Sequence, residues 1–194
     1  GRKIKNTFLI SPDDIKGSTY VNYNVDDSLL GPAIKEAQEI GLQSIIGTAL
    51  LRKLQELVLL DIEGEEGGIE EEENEKYKEL LDDYVTDYLE ARSEAVLCAM
   101  VSFKIRNAGV IKNSDTNLQA PTIKEVMFTQ RSFTQLSDRY ATALSKYLCA
   151  NKEAFPELEY SNCGCSGDVQ PQIGKRFVDV GLWLGGSVND CCCK

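Results

Sequence analysis

The chain has 194 residues, 31 acids against 21 bases, a formal charge of −10 and no histidine. That length suits one ordinary domain with a real core, or one domain and a tail. The missing histidine excludes Ser–His–Asp triads, imidazole bases and every zinc site that uses a histidine ligand, and no apolar run approaches the ~20 residues that span a bilayer.

In chain order, Gly1–Asn6 is followed by only three apolar residues. That is too few for a signal-peptide core, so a soluble protein working in or from a cytoplasm is expected. Ser11 is placed to cap a short helix that begins at Pro12, with Asp13 and Asp14 at the positive end of its dipole and Gly17 as its stop. Asp26 or Asp27 opens a second helix. From 25 to 60 the helical stripe is Leu30, Ala33, Ile34 and Ala37, with Ile40 extending the same side. Gly41 and Gly47 predict a break or kink, after which Leu50, Leu51, Leu54, Leu57 and Val58 resume the stripe.

Residues 61–75 contain Asp61, Glu63, Glu65, Glu66, Glu70, Glu71, Glu72, Glu73 and Glu75, and read as a mobile acidic loop that does not pack. Subtracting those nine from 31 acids leaves 22 against 21 bases, so the rest of the chain is close to neutral. Such a body has no broad basic face for phosphate backbones, and the loop repels them. The next helix carries Tyr77, Leu80, Leu81, Tyr84, Val85, Tyr88 and Leu89 on one face. Beyond Arg92 it becomes apolar over most of its circumference through Ala95, Val96, Ala99, Met100 and Phe103, the mark of a central helix. Asn107-Ala108-Gly109 ends it. A polar loop from Asn113 to Pro121 leads to a long helix from about Ile123 to Ala150, with Val126, Met127, Leu136, Tyr140, Leu144, Tyr147 and Leu148 facing inward and Phe155-Pro156 closing it.

After Tyr160 the composition shifts to Gly, Pro and Cys, and Val178, Val180, Leu182 and Leu184 alternate with Asp179, Gly181 and Trp183, a strand pattern. A lone strand needs an edge to pair with, either Thr7–Ile10 or another chain. The expected fold is therefore all-α: a small helical bundle over residues 1–156 with an acidic loop at 61–75, then an extended, partly β tail over 157–194.

Candidate chemistry is sparse. Cys163-Gly164-Cys165 and Cys191-Cys192-Cys193 lack the spacing of zinc ligand pairs and read as reduced thiols, while Cys98 and Cys149 read as small core residues on helices. An EF-hand starting at Asp61 would use Asp61, Glu63, Glu65 and Glu72, but puts Glu66 where glycine must turn and Gly68 at the hydrophobic position. Gly47-Thr48-Ala49-Leu50-Leu51-Arg52-Lys53 lacks the second glycine and the hydroxyl of a phosphate loop. No nucleophile or base emerges, so no enzyme, metal or cofactor is expected.

The opening segment carries a resemblance. Ile10-Ser11, Asp13-Asp14-Ile15-Lys16, Asp26-Asp27 and Leu29-Leu30 through Ile34 to Ala37 fit the pattern I-[ST]-x-[ED]-[ED]-[IVL]-K, a turn, D-D and L-[IL]-x-x-x-I-x-x-A. In this the chain resembles tailed-phage head–tail connector (adaptor, neck-ring) proteins. Ile45-Ile46-Gly47-Thr48-Ala49-Leu50, Cys163-Gly164-Cys165 and Leu182-Trp183-Leu184-Gly185-Gly186 look most like the version in crAss-like phages. The resemblance implies a structural virion protein with a helical connector fold and no catalysis. Its subunits form a cyclic homo-oligomer of about twelve copies beneath the portal protein, matching the portal's symmetry. DNA passes through that ring without sequence-specific binding, and other neck or tail proteins dock on it. Assembly would take place in the host bacterial cytoplasm, away from membrane. The acidic insert and the cysteine-bearing tail depart from the shorter connectors.

The tail is then expected to clamp a neighbour. Val178, Val180, Leu182 and Leu184 form one apolar face and Trp183 lies on the other, at the end of a link from Ser161 to Gly174. The alternative reading is a cellular helical adaptor that binds a partner by adding its C-terminal strand.

Overall fold

The structure, a computed structural model, describes residues 2–17, 27–107 and 123–158. Its N-terminal part follows the capping chemistry of the sequence. After α1 (Arg2–Lys5) the chain runs without helix to Ser11, which starts α2 (Pro12–Gly17). Ser11 Oγ accepts the Asp14 N–H at 3.2 Å and Asp14 Oδ2 accepts the Ser11 N–H at 2.7 Å, a reciprocal capping box closed by an aspartate. The box positions Ile15, which is fully buried beside Leu9 and Ile10 in the same core as the long helices.

α3 (Asp27–Glu36) continues into a π turn, Ala37–Leu42, and then α4 (Gln43–Glu63). Both breaks expected from glycine are present. Gly41 sits inside the π turn, and Gly47 has φ 82° and ψ 166°, backbone that only glycine adopts at low cost, so α4 kinks there. Side chains span the interruptions: Ser44 Oγ donates to the Gly41 carbonyl at 2.7 Å, and Gln43 Nε2 donates to Thr48 Oγ1 at 2.7 Å. The π turn also corrects one assignment. Its wider step rotates the register so that Ala37, Gln38, Gly41 and Leu42 face inward, and Ile40 is left 65 % exposed.

The second rod is α5 (Glu75–Leu80), a π turn at Leu81–Val85, and α6 (Thr86–Asn107). Thr86 Oγ1 donates to the Leu81 carbonyl at 2.9 Å across that turn. Tyr77, Leu80, Leu81, Val85, Tyr88 and Leu89 are buried as their spacing requires, and the unbroken buried run Ser93–Leu97 makes α6 the central helix. α7 (Ile123–Ala150) has the expected bounds and runs back along α6. At one end Tyr84 stacks on Tyr147 with ring centroids 4.2 Å apart; at the other, Ala99 and Met100 share a groove with Gln130 and Thr134.

The inward set of α7 differs from the expectation at one position. Met127 is 41 % exposed, whereas Phe133 is buried. The buried stripe is Val126, Phe133, Ser137, Leu144 and Leu148, with steps of seven and four. Ser137, being polar, hides that register from an apolar count. A short 3₁₀ turn at Lys152–Ala154 then brings the fully buried Phe155 edge-on to Tyr77 at 5.5 Å, and Tyr77 donates its hydroxyl proton to Glu157 Oε1 at 2.8 Å. Leu158 is buried too, so the packed body extends past residue 156.

The described residues are mostly helical and contain no strand. The strand expected around Val178–Leu184 lies outside them. Thr7–Ile10, the candidate edge for it, is neither helix nor strand. Cys98 on α6 is a half-buried thiol outside any disulfide, its pKa raised by burial and by Glu94, and Cys149 on α7, expected as a small core residue, is half-buried and disulfide-bonded.

Candidate functional site

Three surfaces stand out, and the first explains why Thr7–Ile10 is not an open edge. The side-chain amide of Gln38, on the first π turn, donates to the Thr7 carbonyl at 3.0 Å and accepts the Leu9 N–H at 2.9 Å. It thus supplies the two bonds a neighbouring strand would make. Gln55 on α4 donates to the same Thr7 carbonyl at 2.9 Å, and Arg52 donates to Gln55 Oε1. Arg52 also grips Glu39 through both carboxylate oxygens, at 2.9 and 2.7 Å. Such a fork is the strong form of ion pair. It holds the Glu39 carboxyl below its ordinary value and raises Arg52, mainly by that direct hydrogen bonding against the cost of burial. Gln38 and Gln55 are buried with their amides paired. The cluster is a structural staple that fixes the first helices on the bundle.

The second surface is the acidic segment, which is folded rather than the unpacked loop expected. α4 continues to Glu63, and Gly64 (φ 71°) caps it: the Glu65 N–H reaches the Leu60 carbonyl at 2.9 Å. Asp61 then organises the return, its Oδ2 accepting the N–H groups of Ile69 at 2.8 Å and Glu70 at 3.3 Å. A side chain at Gly68 would place its Cβ 1.8 Å from Asp61 Oδ1, so only glycine lets the chain pass this close. Asn74 Nδ2 donates to the Gly68 carbonyl at 2.8 Å, and Ile69 enters the core at 5 % exposure. The carboxylate that headed the rejected calcium loop is therefore engaged by backbone donors. Lys78 pairs with Glu70. What the turn presents outward is Ile62, 68 % exposed, with exposed Glu65 and Glu66 after it and exposed Glu72 and Glu73 beyond.

The third surface lies on α7. Lys124, Met127, Phe128, Arg131 and Gln135 follow helical spacing on one face and all are exposed, Phe128 to 74 %. Met127, Arg131 and Gln135 line a shallow groove of about 320 Å³ together with Gln130 and Thr134. Met127 and Phe128 stand exposed side by side, with exposed Lys124, Glu125, Arg131 and Asp138 around them.

The acidic segment and the α7 face are at opposite ends of the body. Tyr147 packs on Tyr84 and Phe155, and Phe155 on Tyr77, so the C-terminal end of α7 lies beside α5, into which the acidic turn leads. Burial, reinforced by Glu79, pushes the Tyr147 phenol up to about 12. Phe128 is nineteen residues back along the same helix, about 28 Å away at 1.5 Å per residue.

No group of three or more His, Cys, Asp or Glu among the described residues is arranged to hold a metal ion. None of the described helices is long and apolar enough to cross a membrane. The expected clamp residues Val178, Val180, Leu182, Trp183 and Leu184, like Cys163, Cys165 and Cys191–Cys193, lie outside the described residues.

A family profile described as a family of unknown function (DUF6712) matches residues 42–168, more than half of the chain. No curated protein and no solved structure matches it.

Proposed function

We propose, for a chain that belongs to the family of unknown function DUF6712, a structural rather than catalytic role: a subunit of the head–tail connector ring of a tailed phage. In this reading about twelve copies close a ring below the portal protein. The ring extends the DNA channel, docks other neck or tail proteins and resides in the virion. The observation that carries the reading is the α7 face that the described residues leave open, where Met127 and Phe128 are exposed at the end of the body opposite its acidic turn. A helical body with a contact surface at each pole is built to be a link in a chain of subunits. The capped α2, the start of α3 at Asp27 and the kink at Gly47 agree with the connector resemblance of the opening segment. The acidic turn repels a polyanion, which suits a channel or an outer wall where DNA must not stick. The tail residues Val178, Val180, Leu182, Trp183 and Leu184 serve in this reading as the clamp on a neighbour.

The test is immunogold labelling of purified virions of the phage that carries this gene. Label at the neck, between head and tail, is expected. Its absence from the particle, or its presence over the capsid shell alone, overturns the proposal.

A further inference from the structure

Cys149, the next-to-last residue of α7, is disulfide-bonded, and its partner follows by elimination. The chain has seven cysteines, at 98, 149, 163, 165, 191, 192 and 193. Cys98 lies outside any disulfide. Geometry excludes it as well. Tyr147, two residues from Cys149, stacks on Tyr84, and Cys98 stands fourteen residues beyond Tyr84 on the same rod, about 21 Å along it. A disulfide joins Cα atoms no more than about 7 Å apart. The five remaining cysteines all follow Leu158, outside the described residues.

The path of the described chain selects among those five. Asn151 donates its backbone and side-chain N–H groups to the Tyr147 carbonyl, both at 3.0 Å, and ends α7. The turn at Lys152–Ala154 then folds the chain back, so that the Phe155 ring centroid lies 6.3 Å from that of Tyr147. Leu158 is buried just after, so the chain enters its last segment at the same end of the body as Cys149. Cys163 is five residues further on, at most about 17 Å of chain. A ring closed on Cys163 spans fourteen residues and one closed on Cys191 spans forty-two. At the three-halves power of length, the shorter closure is favoured about fivefold.

We infer that Cys149 is cross-linked to the Cys163-Gly164-Cys165 pair, which ties the start of the C-terminal segment to the end of α7. The inference deepens the proposed clamp by fixing its anchor, and rests on the connector reading only for what the clamp holds. Twenty residues lead from Leu158 to Val178, at most about 68 Å of chain, and thirteen lead there from Cys165, at most about 44 Å. Forming the bond therefore shortens the reach of the clamp residues by about a third. A reducing cytoplasm keeps such a pair as thiols, which gives the long reach during assembly, and a disulfide oxidant met afterwards closes the bond. With glutathione disulfide, the Cys149 thiolate attacks one glutathione sulfur and releases a glutathione thiolate. A thiolate of the Cys163–Cys165 pair then attacks the Cys149 sulfur and releases the second. Two protein thiols lose two electrons and two protons, and one glutathione disulfide becomes two glutathione thiols.

The test uses the full chain, purified with dithiothreitol, freed of it and oxidised with glutathione disulfide. Remaining thiols are alkylated and the chain is cut with trypsin without reduction. The cuts put Cys98 in Ser93–Lys104, Cys149 in Tyr147–Lys152, Cys163 and Cys165 in Glu153–Lys175, and the last three cysteines in Phe177–Lys194. Mass spectrometry is expected to find Tyr147–Lys152 joined to Glu153–Lys175, and the two separated by dithiothreitol. Replacing Cys191, Cys192 and Cys193 together by serine should leave that species in full, with the circular dichroism of the helical body unchanged. A bond from Cys149 to Phe177–Lys194 or to Ser93–Lys104 overturns the inference. So does a bond found only between two chains, or a Cys149 that is still alkylated after oxidation. The cross-link without neck labelling in virions leaves this inference standing and removes the connector reading; neck labelling without the cross-link does the reverse.

Discussion

Gln38 concentrates the logic of the N-terminal region in one side chain. Its amide is buried and satisfies both a carbonyl and an N–H of the incoming segment, the two bonds a paired strand would make. Gln38→Met preserves volume but leaves the Leu9 N–H without its acceptor. The expected cost is about 1–3 kcal/mol, read as a lower urea midpoint. Glu39, one position on, makes the staple sensitive to acid. The Arg52 fork holds its carboxyl below the ordinary 4.5 in the folded state. Its contribution is therefore complete above that value and lost as pH falls through the lower, folded-state value. The difference in stability between wild type and Glu39→Gln should be constant above about pH 5 and shrink towards zero on further acidification. Asp87 and Glu90 are shifted the other way by burial and neighbouring acids, so only the difference between the two proteins isolates Glu39. A difference that grows on acidification would contradict the assignment. None of this staple is announced in the sequence, since a glutamine on an inward helical position carries no periodic signal.

The helices themselves were legible. The start of α2 at Pro12 follows from its capping residues, and the extents of α3 and α7 from apolar spacing. What the spacing misses is register after a π turn. Ile40 fits a 3.6-residue repeat from Ala37 yet points to solvent, because the turn at 37–42 inserts extra arc. Acid density misled in a different way. Nine acids in fifteen positions read as unpackable, but Asp61 binds backbone, Gly68 passes beneath it and Ile69 fills the core, so three residues fold the segment. Gly47 shows the sequence signal at its best. Gly47→Ala forces a side chain into backbone that only glycine tolerates and should destabilise by about 1–3 kcal/mol in thermal or urea unfolding. A neutral result would mean that α4 runs straight at this point. The C-terminal element carries its own prediction: deleting residues 175–194 should leave the circular dichroism of the helical body intact and abolish incorporation into the neck. Unfolding of the truncated chain would make the tail part of its own core, and normal incorporation would remove the clamp.

At the scale of the molecule, the body is bipolar. The acidic turn and Ile62 occupy the end near α5, the Met127–Phe128 face the other, and α6 and α7 are the struts between them. The sequence displays the acidic pole openly as charge, whereas the α7 pole is concealed among residues that read as core. Met127 reads as inward because burial of Val126 and of the neighbouring stripe is visible in sequence, and exposure of the next residue is not. In the proposed ring such subunits repeat around an axis, with α3–α4 and α5–α6 as walls and the tail as the proposed clamp. The decisive measurement is a symmetry-resolved cryo-electron microscopy reconstruction of the virion neck. The account predicts a closed ring of about twelve copies of this helical body. A neck whose density holds no copy of this helical body, or holds it only as a monomer or a two-fold dimer, would contradict it.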